Sequence, residues 1–375
     1  QTAVAFSYIP IRNFMSARKN GLKSLVFLYS VMFIPVAIFL IAQIYLQTNF
    51  QIAIGGVWPV PGYPTRYGST FWDINHFGAY CSALSLILIG SASSKNVSLR
   101  YRVFNLVILS FTLASLYLTS SRSSMLGFIA GVTVFAILTL KNRKLSFPYK
   151  LQYQTWYLGI LSSTTLFLYG IYIFADSIRE SFLYRSVSFF SHLFLLKVGI
   201  IVGIQNAFLG IGANSFHTYF RETEWAKIYY YIDRAALNLK LPLHNLWLEV
   251  LAETGLISFT FFTAFWILLL VGLYRIYSEN NDKLALGLMG GIISFLVGGF
   301  MYSYKSEFFW LFVIISAAYV SKHYFIDKKI GLADAFNKIL CPENCDVKKI
   351  VLSVISVLML ITPLIFITHP LNAFE

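Results

Sequence analysis

The sequence predicts an all-α protein: a polytopic bundle of transmembrane helices with one large, partly helical loop outside the membrane. Of its 375 residues, 57% are hydrophobic and only 12% are charged, about half the charged fraction of an average soluble domain. Apolar runs recur along the chain, and one long segment, 176–253, separates two groups of them. So few charges cannot cover a soluble protein of this size, which excludes a soluble enzyme, a disordered chain and a disulfide scaffold.

The apolar runs are long enough to cross a bilayer, which takes about 20 residues as a helix. Nine runs without an interior charge qualify as spans, near 24–46, 77–94, 103–119, 123–140, 155–175, 254–274, 284–303, 307–321 and 350–368. They divide the chain into N-terminal helices over 1–175, with five of the spans, the large loop over 176–253, and C-terminal helices over 254–375, with the other four. Because the sequence opens at Gln1 and not at Met, we expect that its true beginning is missing and that further spans could precede it.

The cations predict the orientation of these spans. The net charge of +13 does not indicate nucleic-acid binding, because the Lys and Arg residues lie in loops between apolar runs and not in one basic domain. One set of short loops holds 19 of them, and the alternate short loops hold only Arg66, Arg122 and Lys305. Short cation-rich loops stay in the cytosol, whereas long loops translocate regardless of charge. The large loop and the turn at 119–123 therefore face outward, and we expect the protein to work on that side.

Arg122 stands among hydroxyl residues in the outward turn between two apolar spans. An arginine at a tight membrane turn is costly to desolvate and should have an anionic partner. The amino end of the following helix also favours an anion. The turn therefore predicts a phosphate-binding site, with simple snorkelling of one arginine to the interface as the alternative.

His244 follows Pro242, where the large loop re-enters the membrane. A histidine at such a junction can act as a general base, although a core or surface histidine is the alternative. Gly210 and Gly212 permit a tight turn whose N–H groups could hold a phosphate, or which is only a turn. Asn75 and His76, at the outward entry of the second span, are typical of a helix start in an aromatic belt and are second-tier candidates.

The predicted topology brings the arginine turn, the glycine turn and the histidine to one side of the membrane, as a site for a phosphate-containing substrate requires. At these residues the sequence resembles the O-antigen ligase and polymerase superfamily of bacterial envelope glycan transferases, over roughly 70–325. The family's Ser-Arg-small motif is matched by residues 121–123, its Gly-hydrophobic-Gly motif with a following Phe by 210–216, and its His-Asn, Leu and Glu-x-Gly motif by 244–255. Asn75-His76 is a looser likeness.

The sequence departs from the family at two places. Where the family has an arginine at the start of the helix before the glycine motif, this chain has His192, and Arg185 or Lys197 could supply the charge instead. The glycine that follows the Glu-x-Gly-Leu-Ile run is replaced by Ser258.

The resemblance implies a transferase that takes a glycan from undecaprenyl diphosphate, with His244 as general base and Arg122 binding the diphosphate. A ligase would pass the glycan to a sugar hydroxyl of lipid A–core, which we favour, and a polymerase would pass it to another lipid-linked unit. The expected substrate-binding residues are Arg185, His192, Lys197, Gly210, Gly212, Arg221, Arg234, Asn245, Asn75 and His76.

The expected partners are the lipid-linked donor, the acceptor and membrane lipid, without nucleic acid, metal or cofactor. No Asp-x-Asp occurs on the outward loops, and no GxxxxGK[ST] motif supports nucleotide hydrolysis. The expected location is the bacterial inner membrane, with several spans and the active site on the periplasmic face. A transporter or flippase is the rival of a different class, but the chain shows no internal repeat of the kind that transporters usually have.

Overall fold

The computed structural model describes residues 7–18, 20–58, 65–94, 97–142, 186–232, 243–303 and 307–327, and these are almost entirely helical. The helices, in chain order, are α1 Tyr8–Ala17, α2 Gly21–Phe50, α3 Ile74–Ala92, α4 Leu99–Thr119, α5 Arg122–Asn142, α6 Ser186–Gln205, α7 Phe216–Arg221, α8 Glu224–Ile232, α9 Leu246–Asn280, α10 Lys283–Gly298 and α11 Glu307–Ser321. A π-helical turn, Lys322–Asp327, continues α11. Between α2 and α3, strands β1 Val57–Trp58 and β2 Arg66–Tyr67 form a short antiparallel ribbon. The all-α prediction is confirmed.

Five of the described helices, α2, α3, α4, α5 and α9, are long and apolar enough to cross a membrane. They coincide with the first four predicted spans and with the span predicted at 254–274. At 284–303 and 307–321 the structure has the shorter apolar helices α10 and α11. The spans predicted at 155–175 and 350–368 lie outside the described residues, and the division of the chain into three parts stays a prediction.

The centre of the bundle is formed by α3 and α10, with α5 packed against both. Small residues make this packing close: a Cβ atom on Gly90 of α3 would lie 2.5 Å from the carbonyl oxygen of Lys283, and one on Gly131 of α5 would lie 2.6 Å from that of Gly290. Small residues at such crossings let helix backbones approach closely. The helices α3 and α5 therefore begin, and α10 ends, at the same end of a closely packed core, which we call the site end.

The helix α9 is sharply bent. Gly255 interrupts it with φ 73° and ψ 179°, a conformation open to glycine because it has no Cβ atom. The ring of Trp247, before the bend, lies 5.7 Å from the ring of Phe262, after it, although residues this far apart in a straight helix are separated by about 22 Å. The first part of α9 therefore folds back on the second, which keeps its amino end beside the core at the site end.

Candidate active site

His244 is the residue just before the N-cap of α9, and its backbone is in the left-handed region, with φ 57°. This conformation is uncommon for a residue other than glycine. Leu243 is completely buried and presses against α6 at Gly199, where an added Cβ atom would lie 2.5 Å from a Leu243 methyl carbon. Strained residues persist where the surrounding structure holds them, often at functional sites.

Asn245 holds the other side of His244. Its Oδ1 accepts a hydrogen bond from the backbone N–H of Leu248 at 2.9 Å and so caps α9, while its Nδ2 donates to the carbonyl oxygen of Phe300 at 2.9 Å. The side chain is 95% buried, since its relative exposure is 5%. Asn245, predicted to bind substrate, thus has its amide oxygen and nitrogen engaged within the protein and fixes the position of His244.

The imidazole of His244 is stacked on that of His192 from α6. The two rings are 4.2 Å apart at an angle of 6°, and the ring of Tyr302 lies 5.2 Å from His244. Nδ1 of His244 is buried without a hydrogen-bond partner among the described residues. The structure therefore brings together two histidines that are far apart in sequence, and leaves one ring nitrogen of His244 unsatisfied.

Both histidines lie outside the five spanning helices, and both are neutral at physiological pH. Burial lowers the pKa of His244 to about 3, and the neighbouring charge of His192 contributes to this. Burial likewise lowers the pKa of His192 to about 4, with the positive charge of Arg122 adding to the effect. Arg122 is therefore electrostatically coupled to His192, and we include it with the two histidines in one cluster.

Arg122 begins α5, and the turn before it is held by hydrogen bonds to Asn75 at the start of α3. Asn75 Oδ1 accepts from the hydroxyl of Ser121 at 3.0 Å and from the guanidinium of Arg66 at 3.2 Å, and its carbonyl oxygen accepts from the hydroxyl of Ser124 at 3.2 Å. The carboxamide oxygen of Asn75, another predicted substrate contact, therefore positions the turn that carries Arg122.

Arg66 and Asp73 complete this part of the site. The Nε of Arg66 donates to the carbonyl oxygen of Thr119 at 2.7 Å, which ties the ribbon to the end of α4. Asp73 caps α3 by accepting the backbone N–H of Asn75 at 2.7 Å, and its other carboxylate oxygen accepts from the hydroxyl of Tyr302. The sequence interpretation selected none of Arg66, Asp73 and Tyr302. The aspartate before a span is a capping pattern that could have marked Asp73, but nothing in the sequence around Tyr302 marks it.

His76 lies on the first turn of α3, beside Tyr302. Its ring is 5.8 Å from the ring of Tyr302, and its Nε2 lies 3.4 Å from the carbonyl oxygen of Ser303. His76 therefore lies at the site end, next to the Tyr302 ring that contacts His244.

Comparison with known proteins shows what the chain is similar to. Residues 105–263 match the family model described as O-antigen ligase. Over this stretch the chain is therefore similar to the O-antigen ligase family. It is also similar to the teichuronic acid biosynthesis protein TuaE of Bacillus subtilis (strain 168), with 26% identity over 320 residues, 80% of this chain and 62% of the relative. The chain thus spans less than two thirds of that relative's length. The resemblance predicted from the sequence is confirmed.

The stretch matched by the O-antigen ligase family includes the glycine turn, which the structure places on the bend of α9. The N–H of Gly210 donates to the carbonyl oxygen of Asn206 at 2.8 Å, and that of Gly212 to the carbonyl oxygen of Glu253 at 2.8 Å. The carboxylate of Glu253 accepts the N–H groups of Asn214 and Phe216 at 2.8 and 3.2 Å. The prediction that Gly210 and Gly212 hold a phosphate through their amides is not supported, because these amides donate to the protein's own oxygens.

Glu253 therefore organises the glycine turn, and Glu253→Ala is expected to destabilise the fold. The change leaves two N–H groups without their acceptor, and a buried unsatisfied donor costs about 1–3 kcal/mol. Thermal unfolding in detergent measures the loss. Glu224→Ala is the matched control, because Glu224 pairs with Lys227 at the exposed surface, where ion pairs contribute little. Equal unfolding temperatures for the two variants would show that Glu253 does not hold the turn.

The other predicted substrate contacts lie elsewhere or outside the described residues. Lys197 is on the exposed side of α6, with its ammonium group 5.9 Å from the centroid of the Trp225 ring. Arg221 is exposed at the end of α7. Arg185 and Arg234 lie outside the described residues. Among the residues that the structure describes, no group of three or more His, Cys, Asp and Glu side chains is arranged to hold a metal ion.

Proposed function

We propose that the protein is a membrane glycosyltransferase that moves a glycan from undecaprenyl diphosphate to a sugar hydroxyl of an acceptor. The observation that carries the proposal is the cluster of Arg122, His192 and His244 at the site end, which lies within the stretch that the O-antigen ligase family model matches. It joins a guanidinium for the diphosphate to an imidazole with an unsatisfied nitrogen.

The proposed reaction is a single displacement with inversion at the anomeric carbon. The acceptor hydroxyl attacks this carbon and forms the new glycosidic bond, while the bond from the carbon to the diphosphate oxygen breaks and its electron pair leaves with that oxygen. His244 takes the hydroxyl proton as general base. Arg122 binds the diphosphate and stabilises the negative charge that grows on it in the transition state. The diphosphate is already a good leaving group, so we propose that the step proceeds without a metal ion.

The pKa of His244 is low without substrate and is expected to rise when the donor binds, and both states suit a general base. In the protein without substrate, burial keeps the imidazole of His244 neutral, with a smaller contribution from the neighbouring His192, so that it can accept a proton. A diphosphate brings negative charge to the cluster, and a nearby opposite charge favours the protonated form of a histidine. Donor binding is therefore expected to raise the pKa of His244 and make it a stronger base when it is needed.

The site end is proposed to face the periplasm of a bacterium, with the spans in its inner membrane. The support is the distribution of cations: the short loops that connect the opposite ends of the spans carry most of the Lys and Arg residues, and such loops stay in the cytosol. The five apolar helices long enough to cross a bilayer support a multi-pass membrane protein.

Lipid A–core is the acceptor that we propose first, because the matching family model is described as O-antigen ligase. A polymerase that extends a lipid-linked glycan is the second candidate. It is favoured by the similarity to a protein named for the biosynthesis of teichuronic acid.

The test is transfer by the purified protein in lipid vesicles, supplied with undecaprenyl-diphosphate-linked glycan, with and without lipid A–core, and analysed by mass spectrometry. Glycan-capped lipid A–core identifies a ligase, and lengthened lipid-linked chains identify a polymerase. Movement of the lipid-linked glycan across the bilayer without bond formation would identify a transporter and overturn the proposal. Activity that a chelator abolishes and a divalent cation restores would contradict the metal-free step.

A further inference from the structure

The segment that follows α10, residues 299–303, determines where His244 sits. The backbone N–H of Leu246 donates to the carbonyl oxygen of Gly299 at 2.7 Å, and Asn245 Nδ2 donates to that of Phe300 at 2.9 Å. The two residues that follow His244 are therefore bonded directly to this segment, and any movement of the segment moves the imidazole.

The same segment contacts the imidazole itself through Tyr302. Its ring is 5.2 Å from that of His244, tilted by 42°, while His192 is stacked on the imidazole at 4.2 Å. Tyr302 is buried, so its ring has little room to move while its hydroxyl is held. The orientation of His244 thus depends on what holds Tyr302.

The hydroxyl of Tyr302 is held by Asp73. One carboxylate oxygen of Asp73 accepts the Tyr302 hydroxyl, and the other accepts the backbone N–H groups of Asn75 and His76 at 2.7 and 3.4 Å. Because Asp73 caps α3, the central helix of the bundle, its carboxylate is fixed to the closely packed core. The bond from Tyr302 to Asp73 therefore connects the segment around His244 to that core.

We propose that Tyr302 and Asp73 are positioning residues of the transfer reaction: their hydrogen bond holds segment 299–303, and through it the imidazole of His244, in the reactive place. The proposal rests on the proposed role of His244 as general base. Neither residue is proposed to touch the substrate. Their effect is on the geometry of proton transfer, which requires a base within hydrogen-bond reach of the hydroxyl.

The chain offers a matched control at the start of α10, the helix whose other end leads into segment 299–303. The hydroxyl of Tyr319 donates to the carboxylate of Asp282, whose other oxygen accepts the backbone N–H of Leu284 at 2.8 Å and caps α10. The chemistry is the same as at Asp73, a tyrosine bonded to a capping aspartate. The 16 residues of α10 put about 24 Å between the two ends, so this second pair is remote from His244.

The experiment compares Tyr302→Phe with Tyr319→Phe in the vesicle transfer assay. Each variant loses one hydroxyl and keeps its ring, so we expect similar decreases in the thermal unfolding temperature. Only Tyr302→Phe is expected to lower kcat, by about tenfold, with the KM for the donor within about twofold, because a misplacement of about 1 Å can cost as much as 100-fold in rate. Equal kcat for the two variants, per amount of folded protein, would overturn the proposal.

A second pair of variants tests the bond from the other side. Asp73→Ser keeps a good helix cap and loses the carboxylate oxygen that accepts the Tyr302 hydroxyl. It should therefore lower kcat as much as Tyr302→Phe does, whereas Asp282→Ser should leave kcat unchanged.

The double variant tests whether the two residues act through one bond. Combining Asp73→Ser with Tyr302→Phe should lower kcat no more than either single change, since both remove the same hydrogen bond. Additive losses would overturn the proposal. Wild-type activity in His244→Asn would instead contradict the proposed role of His244 as general base. This outcome is separate from whether Tyr302→Phe lowers kcat.

Discussion

Replacing His244 with asparagine is expected to lower kcat for glycan transfer by about 100- to 10,000-fold, the usual contribution of a general base. The imidazole is the group that would take the proton of the acceptor hydroxyl, and asparagine cannot take it. Asparagine tolerates the left-handed backbone better than most residues, and His244 has φ 57°, so the variant should fold. The measurement is kcat in the vesicle assay at equal amounts of folded protein.

The control for this change is His323→Asn. His323 lies in the π-helical turn after α11, with Nε2 3.4 Å from a carboxylate oxygen of Glu279, away from the stacked pair. We expect wild-type kcat for it. A His244→Asn protein that transfers glycan within about threefold of the wild-type rate, far from the usual general-base effect, would remove His244 from the mechanism.

The pH dependence of transfer provides an independent check on His244. A base must be neutral, and the folded protein keeps the pKa of His244 at about 3. His244 therefore stays neutral between pH 8 and pH 5 in the free enzyme. Because kcat/KM reports the free enzyme, we expect kcat/KM not to change over this range through protonation of His244. In the complex, the negative diphosphate raises this pKa, so kcat should begin to fall at a higher pH than kcat/KM. An acid limb in kcat/KM near pH 6.5 that disappears in His244→Asn would contradict the burial of the imidazole.

Replacing Arg122 with alanine is expected to lower kcat/KM by about 100- to 1,000-fold, the effect of removing one group that stabilises transition-state charge. Arg122→Lys should recover only part of the loss, because lysine keeps the charge but lacks the planar, forked donors that match a phosphate. The assay is again donor-dependent transfer. Arg100→Ala, at an exposed position near the start of α4, is the control and should behave as wild type.

Arg122 can also be tested without measuring activity. Its positive charge contributes to the lowered pKa of His192, so Arg122→Ala should raise that pKa toward the ordinary value for histidine. Titration of His192 by NMR in detergent reports the change. An unchanged pKa together with unchanged transfer would show that Arg122 belongs neither to the histidine cluster nor to the donor site.

Much of the fold follows from local properties of the sequence. The length of an apolar run decides whether it can cross a bilayer, and five predicted spans match helices long enough to do so. The short motifs around Arg122 and His244 were enough to predict the resemblance to the O-antigen ligase family, whose model matches residues 105–263. These features can be predicted from the sequence because each depends on neighbouring residues or on composition.

The glycine turn shows where such local evidence ends. Glycines at 210 and 212 indicate a tight turn, and the structure has one, but its N–H groups donate to Glu253 and Asn206. The sequence interpretation offered these groups to a phosphate, with a plain turn as the alternative, because the acceptor Glu253 comes from another part of the chain. Asn75 and Asn245 were likewise predicted to contact substrate. In the structure the side chain of Asn75 accepts a hydrogen bond from Ser121, and that of Asn245 donates one to the carbonyl oxygen of Phe300.

The sequence by itself determined the class of fold, the predicted orientation and the identities of two candidate reactive groups, because apolar length, charge and short motifs are local. Only the tertiary structure decided that His192 stacks on His244, that both are neutral, and that Tyr302 is tied to Asp73. The reason is physical: stacking, burial and a hydrogen bond between residues 229 positions apart depend on how α3, α6 and α10 pack, and no pattern of neighbouring residues carries that information.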